Sequence, residues 1–334
     1  MAQKTLTGVL ILATCCFYQG CRRYVPQQEG LAPYISISPD DNKILFSWYQ
    51  NGKASLYVAD VNGSNVQRLT SAKNESYIEA VYSHDGSKIL FLAYRENDGR
   101  PFSDICIMDA NGTNLQRLTS SKQYINEAIF SPDGKTIYYL QSNFFGHYSP
   151  ITGSRPHEFD IYSINLNSTS PRRITNLHEY EMFGLSVTSD GRHLLFGSGP
   201  LDPERRPFAF HQLLIDNPNK IVSFNPSGQF GSDTFSELQL SSDDRTAAFV
   251  AVAPNKRGGY KYELYIMDFE SKYSRQITNL QRNIESACFM HGQPRIIFTV
   301  NTTWPIDPPI YELCSVNADG TDLKKINLSI TNPR

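Results

Sequence analysis

Short apolar runs separated by turn residues recur along the chain. The clearest copy contains Ser131-Pro132-Asp133-Gly134, which follows the run Ala128-Ile129-Phe130 and precedes residues 137–140, IYYL. Proline presets one backbone angle of a turn and glycine accepts a positive φ, so this segment predicts a hairpin corner between two strands. Two further strand-like runs follow, at residues 160–162 and 173–175.

The same order of elements occurs six times. Aligned on the turn, the copies carry Asp40, Asp85, Asp133, Asp190, Asp243 and His291 at one position. Each copy continues with an apolar run, a variable loop, a third apolar run and a short final strand. Four strands per copy, repeated at a period of 45 to 57 residues, are typical of a β-propeller.

Burial explains why such copies would close into a ring. A lone four-stranded sheet with apolar residues on both faces is unstable in water, whereas radial packing buries both faces and most sheet edges. No long segment has a 3.6-residue apolar period, so few helices are expected. The sequence therefore predicts an all-β, six-bladed β-propeller of four-stranded antiparallel blades.

These residues resemble a known repeat. The SPDG turn with its aliphatic-aromatic run, the segment Asp160-Ile161-Tyr162, and MDANGTNLQRLT at residues 108–119 are similar to the TolB-like, WD-like β-propeller repeat. The resemblance covers residues 32–328 and implies the propeller alone. It is specific for the fold and carries little about function.

Composition narrows the classes of partner. A net charge of −2 with 40% hydrophobic residues excludes intrinsic disorder and offers no general attraction to nucleic acid. Outside the N-terminal region the cysteines are Cys106, Cys288 and Cys314, an odd number at strand-like positions. We interpret them as small buried hydrophobes without a disulfide framework.

The N-terminus predicts export. Lys4 precedes an apolar run, residues 6–18, which is too short to span a bilayer and is typical of a signal peptide. Gly20-Cys21 resembles the cleavage and lipidation site of bacterial lipoproteins, although Tyr18 and Gln19 depart from that pattern. We expect a signal peptide at 1–20, a tether or closing segment at 21–31, the propeller at 32–328 and a tail at 329–334.

One aligned position carries repeated carboxylates, at the expected start of the innermost strand. Its occupants are Glu79, Glu127, Glu237 and Glu285, with Tyr34 and Gly184 in the other two copies. A ring of carboxylates at the channel mouth is one hypothesis, with a divalent cation or a basic group as its ligand. In the alternative, each glutamate accepts backbone N–H bonds from the neighbouring blade.

Loop histidines give a second hypothesis. His147, His157, His178 and His211 lie in variable loops of neighbouring blades, which suggests a metal site. Oligogalacturonate lyases resemble this propeller type and hold a metal with His and Gln. A metal-dependent carbohydrate lyase or hydrolase is therefore one alternative function, although no tight histidine spacing supports it.

Aromatic side chains favour recognition instead. Tyr77, Tyr124, Phe183 and Trp304 are expected on the variable-loop face, where Tyr and Trp commonly dominate binding energy. The preferred hypothesis is a monomeric, non-catalytic scaffold in the bacterial envelope, periplasmic or anchored at the outer membrane, that binds a protein or peptide. It assigns no cofactor, no nucleic acid, and membrane contact only through Cys21.

Overall fold

The computed structural model describes residues 29–71, 73–147, 153–168, 170–199, 208–230, 235–254 and 261–330. This part of the chain contains 24 β-strands and no helix, so the all-β prediction is confirmed. Among these residues no helix has the length and apolar character that crossing a bilayer requires. The predicted signal peptide and Cys21 lie outside the described residues.

The strands follow one another in groups of four, here called units. The first unit contains β1 (Gly30–Ile37), β2 (Lys43–Gln50), β3 (Lys53–Asp60) and β4 (Gln67–Arg68), and the second contains β5 (Ser76–Tyr82), β6 (Lys88–Asn97), β7 (Arg100–Asp109) and β8 (Gln116–Arg117). The third contains β9 (Ile125–Phe130), β10 (Thr136–Gly146), β11 (Arg155–Asn165) and β12 (Arg172–Arg173), and the fourth contains β13 (Glu181–Val187), β14 (His193–Gly199), β15 (Ala209–Leu214) and β16 (Asn217–Phe224). The fifth contains β17 (Phe235–Leu240), β18 (Thr246–Val252), β19 (Tyr262–Asp268) and β20 (Ser274–Gln276), and the sixth contains β21 (Asn283–Phe289), β22 (Arg295–Asn301), β23 (Tyr311–Asn317) and β24 (Lys324–Ile326).

Each unit is an antiparallel meander in sequence order. The first four units form separate four-stranded sheets, whereas the fifth and sixth share one eight-stranded sheet. A single parallel pairing, Tyr262 with Asn283, joins the two halves of that sheet. Four-stranded antiparallel sheets are thus confirmed, and the number of six blades stays a prediction.

The SPDG corner forms as its residues predict. The Ser131 hydroxyl donates a 2.6 Å hydrogen bond to Asp133, which also accepts the backbone N–H of Lys135. These bonds to the charged form hold the pKa of Asp133 below its usual value, with the Ser131 contact the largest cause. Gly134 completes the turn at φ +68°. The corner has a structural role, because its polar groups form hydrogen bonds with one another.

The first strand of every unit lies innermost. These strands contact each other in order from β1 to β21, and β21 contacts β1 again, so that they surround one axis. Apolar clusters fill the spaces between neighbouring sheets. Phe210 of the fourth unit, for example, packs at 4.8 Å against Phe235 of the fifth. Burying a side chain of this size stabilises the fold by about 1.5–3 kcal/mol.

The ring closes without exchanging a strand among the described residues. Ile297 and Leu313 of the sixth unit pack with Ile37 and Phe46 of the first. The Thr299 hydroxyl donates to the carbonyl of Pro33. Closure therefore uses the same face-to-face packing that joins consecutive units.

Residues just outside the predicted propeller segment, 32–328, also contact the sheets. Gly30 pairs with Tyr49, so residues 30–31 belong to the first sheet. At the other end, Ser329 N–H donates to the carbonyl of Gly63, and Ile330 packs on the cluster between the first and sixth units. These backbone and apolar contacts place residues 329–330 on the ring.

Candidate functional site

The two ends of the sheets differ in what they offer a ligand. The corners after the first and third strands of a unit lie together, as shown by Val61 N–H donating to the carbonyl of Asn42 and Ala110 N–H donating to that of Ser87. We call this end the turn face. The opposite end carries the irregular connections and is called the loop face.

Contacts between units occupy much of the turn face. Asp41 of the first unit accepts 2.7 Å hydrogen bonds from the backbone N–H groups of His291 and Gly292 in the sixth. Asp244 of the fifth unit accepts the backbone N–H and the hydroxyl of Ser189 in the fourth. These corners lock neighbouring units together, which leaves the loop face as the better candidate for binding.

Glu127 serves the scaffold. Its Oε1 accepts the backbone N–H of Gly184 at 2.9 Å, and its Oε2 accepts that of Leu185 at 2.7 Å. Both donors are buried in the inner strand of the next unit. This is the arrangement that the structural alternative for the repeated glutamates describes.

The other three glutamates have different surroundings. Glu237 is buried and accepts the hydroxyl of Tyr34, and Glu285 accepts the side-chain amide of Asn283. Glu79 and Glu237 have φ of 53° and 57°, at irregularities of their inner strands. Among the described residues, no three His, Cys, Asp or Glu side chains are placed to hold a metal ion. The cation site at the repeated glutamates stays a prediction.

The candidate histidines are likewise dispersed. His211 is held between Ser198 and Ser223, with 2.9 Å from each ring nitrogen to a hydroxyl, and its ring stacks on Phe196. His178 is exposed and lies 3.4 Å from Glu158. His147 is exposed at the end of the long hairpin of the third unit.

His157 is buried beside Phe144 and Tyr180, and neither ring nitrogen has a hydrogen-bond partner. Burial lowers the pKa of His157, which favours the neutral ring. Nearby in the fourth unit, the carboxyl of Glu181 is 2% exposed, and burial raises its pKa to about 8 despite the charge of Arg155. The seam between the third and fourth units thus holds two titratable groups in their neutral forms at pH 7. Sequence reasoning did not find Glu181, because its position is not repeated.

The four candidate aromatics do not share one surface. Tyr77 and Tyr124 are half-buried, each with an edge contact to a phenylalanine, Phe91 and Phe159 respectively. Phe183 is only 3% exposed because it packs in the core between the fourth and fifth units. A partner cannot reach its ring in this conformation. Trp304 is half-buried and meets Tyr262 edge-on.

Trp304 lies in a segment of the loop face that exposes apolar side chains. Residues 302–310, here called the contact loop, connect β22 to β23 and read TTWPIDPPI. Ile306 is 70% exposed and Ile310 is 56% exposed. The signal in the sequence is Ile306 between Pro305 and Pro308, which a criterion based on aromatic residues does not include.

The contact loop is ordered by its own hydrogen bonds. Thr302 N–H donates to the carbonyl of Ile310 at 2.8 Å, and Ile310 N–H donates to the Thr303 hydroxyl at 3.0 Å. The Asn301 side chain accepts the backbone N–H groups of Thr303 and Trp304. The exposed isoleucines are therefore presented on a closed, braced loop.

Comparisons with known proteins agree with this fold. Residues 16–147 match the family model described as the TolB beta propeller domain. TolB from Acinetobacter baumannii superimposes with a TM-score of 0.60 at 19% identity, over 87% of this chain and 62% of that protein. This chain thus spans less than two thirds of that TolB. No curated protein sequence gives a significant match.

Two other solved structures share the architecture. A chain of a nidogen/laminin complex aligns with a TM-score of 0.53 at 11% identity, over 75% of this chain and 80% of that one. An oligogalacturonate lyase from Vibrio parahaemolyticus aligns with a TM-score of 0.54 at 10% identity, over 89% of this chain and 88% of that one. At these identities the likeness concerns the fold. The chain has a TolB-like β-propeller fold, as its repeat predicted.

Proposed function

We propose that this chain is a non-catalytic binding scaffold that recognises a protein or peptide partner through its loop face. The observation that carries the proposal is the contact loop, residues 302–310, with Ile306 and Ile310 exposed to solvent on an ordered segment. Exposing apolar side chains to water is unfavourable, and burying them against a partner stabilises the complex.

The bracing of the loop favours a binding role. Burying an exposed isoleucine contributes about 1.5–3 kcal/mol at most. Binding also restricts flexible segments, and this loss of conformational entropy lowers the affinity. Three prolines and the internal hydrogen bonds of residues 302–310 limit that loss. Trp304 is half-buried in the same loop and belongs to a residue type that dominates many interfaces.

The proposal places the protein in the bacterial envelope. Its support is the signal-like run at residues 6–18 and the lipidation-like Gly20-Cys21. In this proposal residues 1–20 are removed, Cys21 is lipidated and the following residues tether the propeller. The partner is then another envelope protein or a peptide within that compartment. A chain of the nidogen/laminin complex shares this architecture, so a chain of this fold occurs in a protein complex.

A carbohydrate lyase is the weaker alternative. Its support is the structural likeness to oligogalacturonate lyase, which concerns the fold. Against it, both ring nitrogens of His211 are engaged by serine hydroxyls, and the described residues bring no three metal-ligating side chains together. We therefore place recognition ahead of metal-dependent catalysis in this proposal.

Site-specific photo-crosslinking tests the proposal. A photoreactive phenylalanine analogue replaces Ile306 in the full chain, expressed in its native envelope, and crosslinked products are identified by mass spectrometry. The control places the same group at Leu115, which is 45% exposed on the turn face. One discrete partner captured from position 306 and not from 115 supports the proposal. Equal labelling from both positions, or none from 306, contradicts it.

A further inference from the structure

A second feature of the loop face is a cavity at the junction of the first and second units. Its volume is about 380 Å³, and it is lined by Ser71, Lys73, Asn74, Glu75, Tyr77 and Arg95. The loop between β4 and β5 provides the first four of these residues, while β5 and β6 provide the last two. Tyr77, one of the aromatic residues predicted for the loop face, lines this cavity.

Two acids and two arginines form a balanced network beneath this cavity. Arg117 donates from Nη2 to both oxygens of Glu75 at 2.7 Å and from Nη1 to Asp104 at 2.8 Å. Arg95 Nη2 donates to the same oxygen of Asp104, a carboxylate that is 1% exposed. The Tyr77 hydroxyl also bonds to Glu75, and burial followed by the charge of Glu75 raises the pKa of this phenol to about 12. The negative charges of Glu75 and Asp104 are therefore balanced by the two arginines.

One donor of that network lacks an acceptor. Arg95 Nε is buried and has no hydrogen-bond partner, and Glu75 Oε2 lies 3.7 Å away, beyond hydrogen-bond distance. The Phe102 ring covers the guanidinium at 4.9 Å and fixes its plane. A buried donor without an acceptor costs about 1–3 kcal/mol, while the Arg95 side chain as a whole is 33% exposed and lines the cavity.

The rest of the lining is also rich in donors. Lys73 is exposed at the rim, next to the side-chain amide of Asn74 and the hydroxyl of Ser71. Because Arg95 and Arg117 balance Glu75 and Asp104, Lys73 leaves a net positive charge around the cavity. A cation would be repelled, and a neutral ligand would leave that charge unmatched.

We propose that this cavity binds a carboxylate group of a peptide, either a chain terminus or an aspartate or glutamate side chain. The carboxylate pairs with the part of the Arg95 side chain that lines the cavity and faces the Lys73 ammonium at its rim. This inference rests on the proposed function, since it assigns the cavity to the same peptide or protein partner that covers the contact loop.

Small probes test the cavity without the natural partner. N-acetylglycine carries a terminal carboxylate, N-acetylaspartate α-amide carries a side-chain carboxylate, and N-acetylglycinamide lacks the charge. Each is titrated into the full chain while the arginine Nε–H resonances are followed by NMR, with Arg95→Lys used to assign the Arg95 signal. We expect a saturable shift of that signal with one or both carboxylates and none with the amide.

Charge-removing variants give the matched control. Lys73 follows Thr70-Ser71-Ala72, and Lys122 follows Thr119-Ser120-Ser121 at the equivalent place in the second unit, also exposed. Lys73→Gln should weaken carboxylate binding about twofold to fivefold, as for an exposed charge pair, and Lys122→Gln should not. Equal shifts with the amide, a response to inorganic phosphate alone, or no response to any probe would overturn the inference. A carboxylate response without crosslinking from Ile306 would keep the cavity and reject the contact loop.

Discussion

Glu127 Oε1 accepts a 2.9 Å hydrogen bond from the backbone N–H of Gly184, across the boundary between the third and fourth units. Its second oxygen accepts the next N–H of the same strand, from Leu185. A carboxylate that could have lined a binding site instead satisfies two buried donors of a neighbouring sheet. The repeated position is therefore scaffold where these bonds form.

Removing that carboxylate should destabilise the protein. Glu127→Ala leaves the two buried N–H groups unpaired, at an expected cost of about 2–4 kcal/mol in the free energy of unfolding. Glu270→Ala, at an exposed turn, should change it by less than about 0.5 kcal/mol. Urea titrations followed by fluorescence compare the two variants. Equal stability of both would show that Glu127 is free for another role.

A close contact at Gly63 contributes to ring closure. This residue has φ +89°, and a Cβ there would lie 2.2 Å from the carbonyl oxygen of Asn327. Similar contacts join Gly112 to Leu69 and Gly320 to Ile277, between consecutive units. The same device thus links the last unit to the first.

A substitution at Gly63 should therefore destabilise the junction between the last unit and the first. Gly63→Ala is expected to cost about 1–3 kcal/mol more than Gly134→Ala, which has a similar positive φ of +68° but open space around it. The control isolates the backbone strain, which amounts to about 1 kcal/mol. Thermal unfolding measures both. A Gly63 variant no worse than the Gly134 variant would argue against this contact as the closure.

Glu181 predicts a pH dependence of stability. Its pKa rises from 4.5 in the unfolded chain to about 8 in the fold, because burial disfavours the charged form. The stability it contributes is complete below about pH 4.5 and is lost as the pH rises toward 8, a change on the order of 3 kcal/mol at neutral pH. Glu181→Gln should therefore be more stable than the wild type near pH 8, with little difference near pH 4.

Chemical denaturation at several pH values measures this effect. His157, whose pKa is lowered, acts in the opposite direction, losing stability as the pH falls below its unfolded pKa. The Glu181→Gln difference isolates the carboxyl, since His157 is present in both proteins. A difference independent of pH would contradict the buried neutral acid.

Much of the fold was predictable because its determinants are local and repeated. Ser131, Asp133 and Gly134 form a corner whose hydrogen bonds need no distant residue. The alignment also located Glu127, but the choice between scaffold and ligand required the position of the next strand. Gly184 occupies the same aligned position in the fourth unit. A side chain does not fit there, because a Cβ would lie 2.6 Å from the backbone nitrogen of Leu238.

Features that differ between copies were harder to predict. The long hairpin of the third unit is one such feature, since β10 and β11 pair through to Gly146 and Arg155. Phe183 was expected on the surface but lies in β13, where its apolar ring fills the core. Local propensity does not reveal whether an aromatic side chain packs inward or outward when both faces of a sheet are buried.

The affinity for the partner captured at Ile306 tests the central claim most directly. With that partner purified, isothermal titration calorimetry compares the wild-type chain with Ile306→Asp, Ile310→Asp and the turn-face control Leu115→Asp. A charge placed in a buried apolar contact should weaken binding by about tenfold or more, whereas the control should bind as the wild type does. Unchanged affinity for both isoleucine variants would contradict recognition through the contact loop.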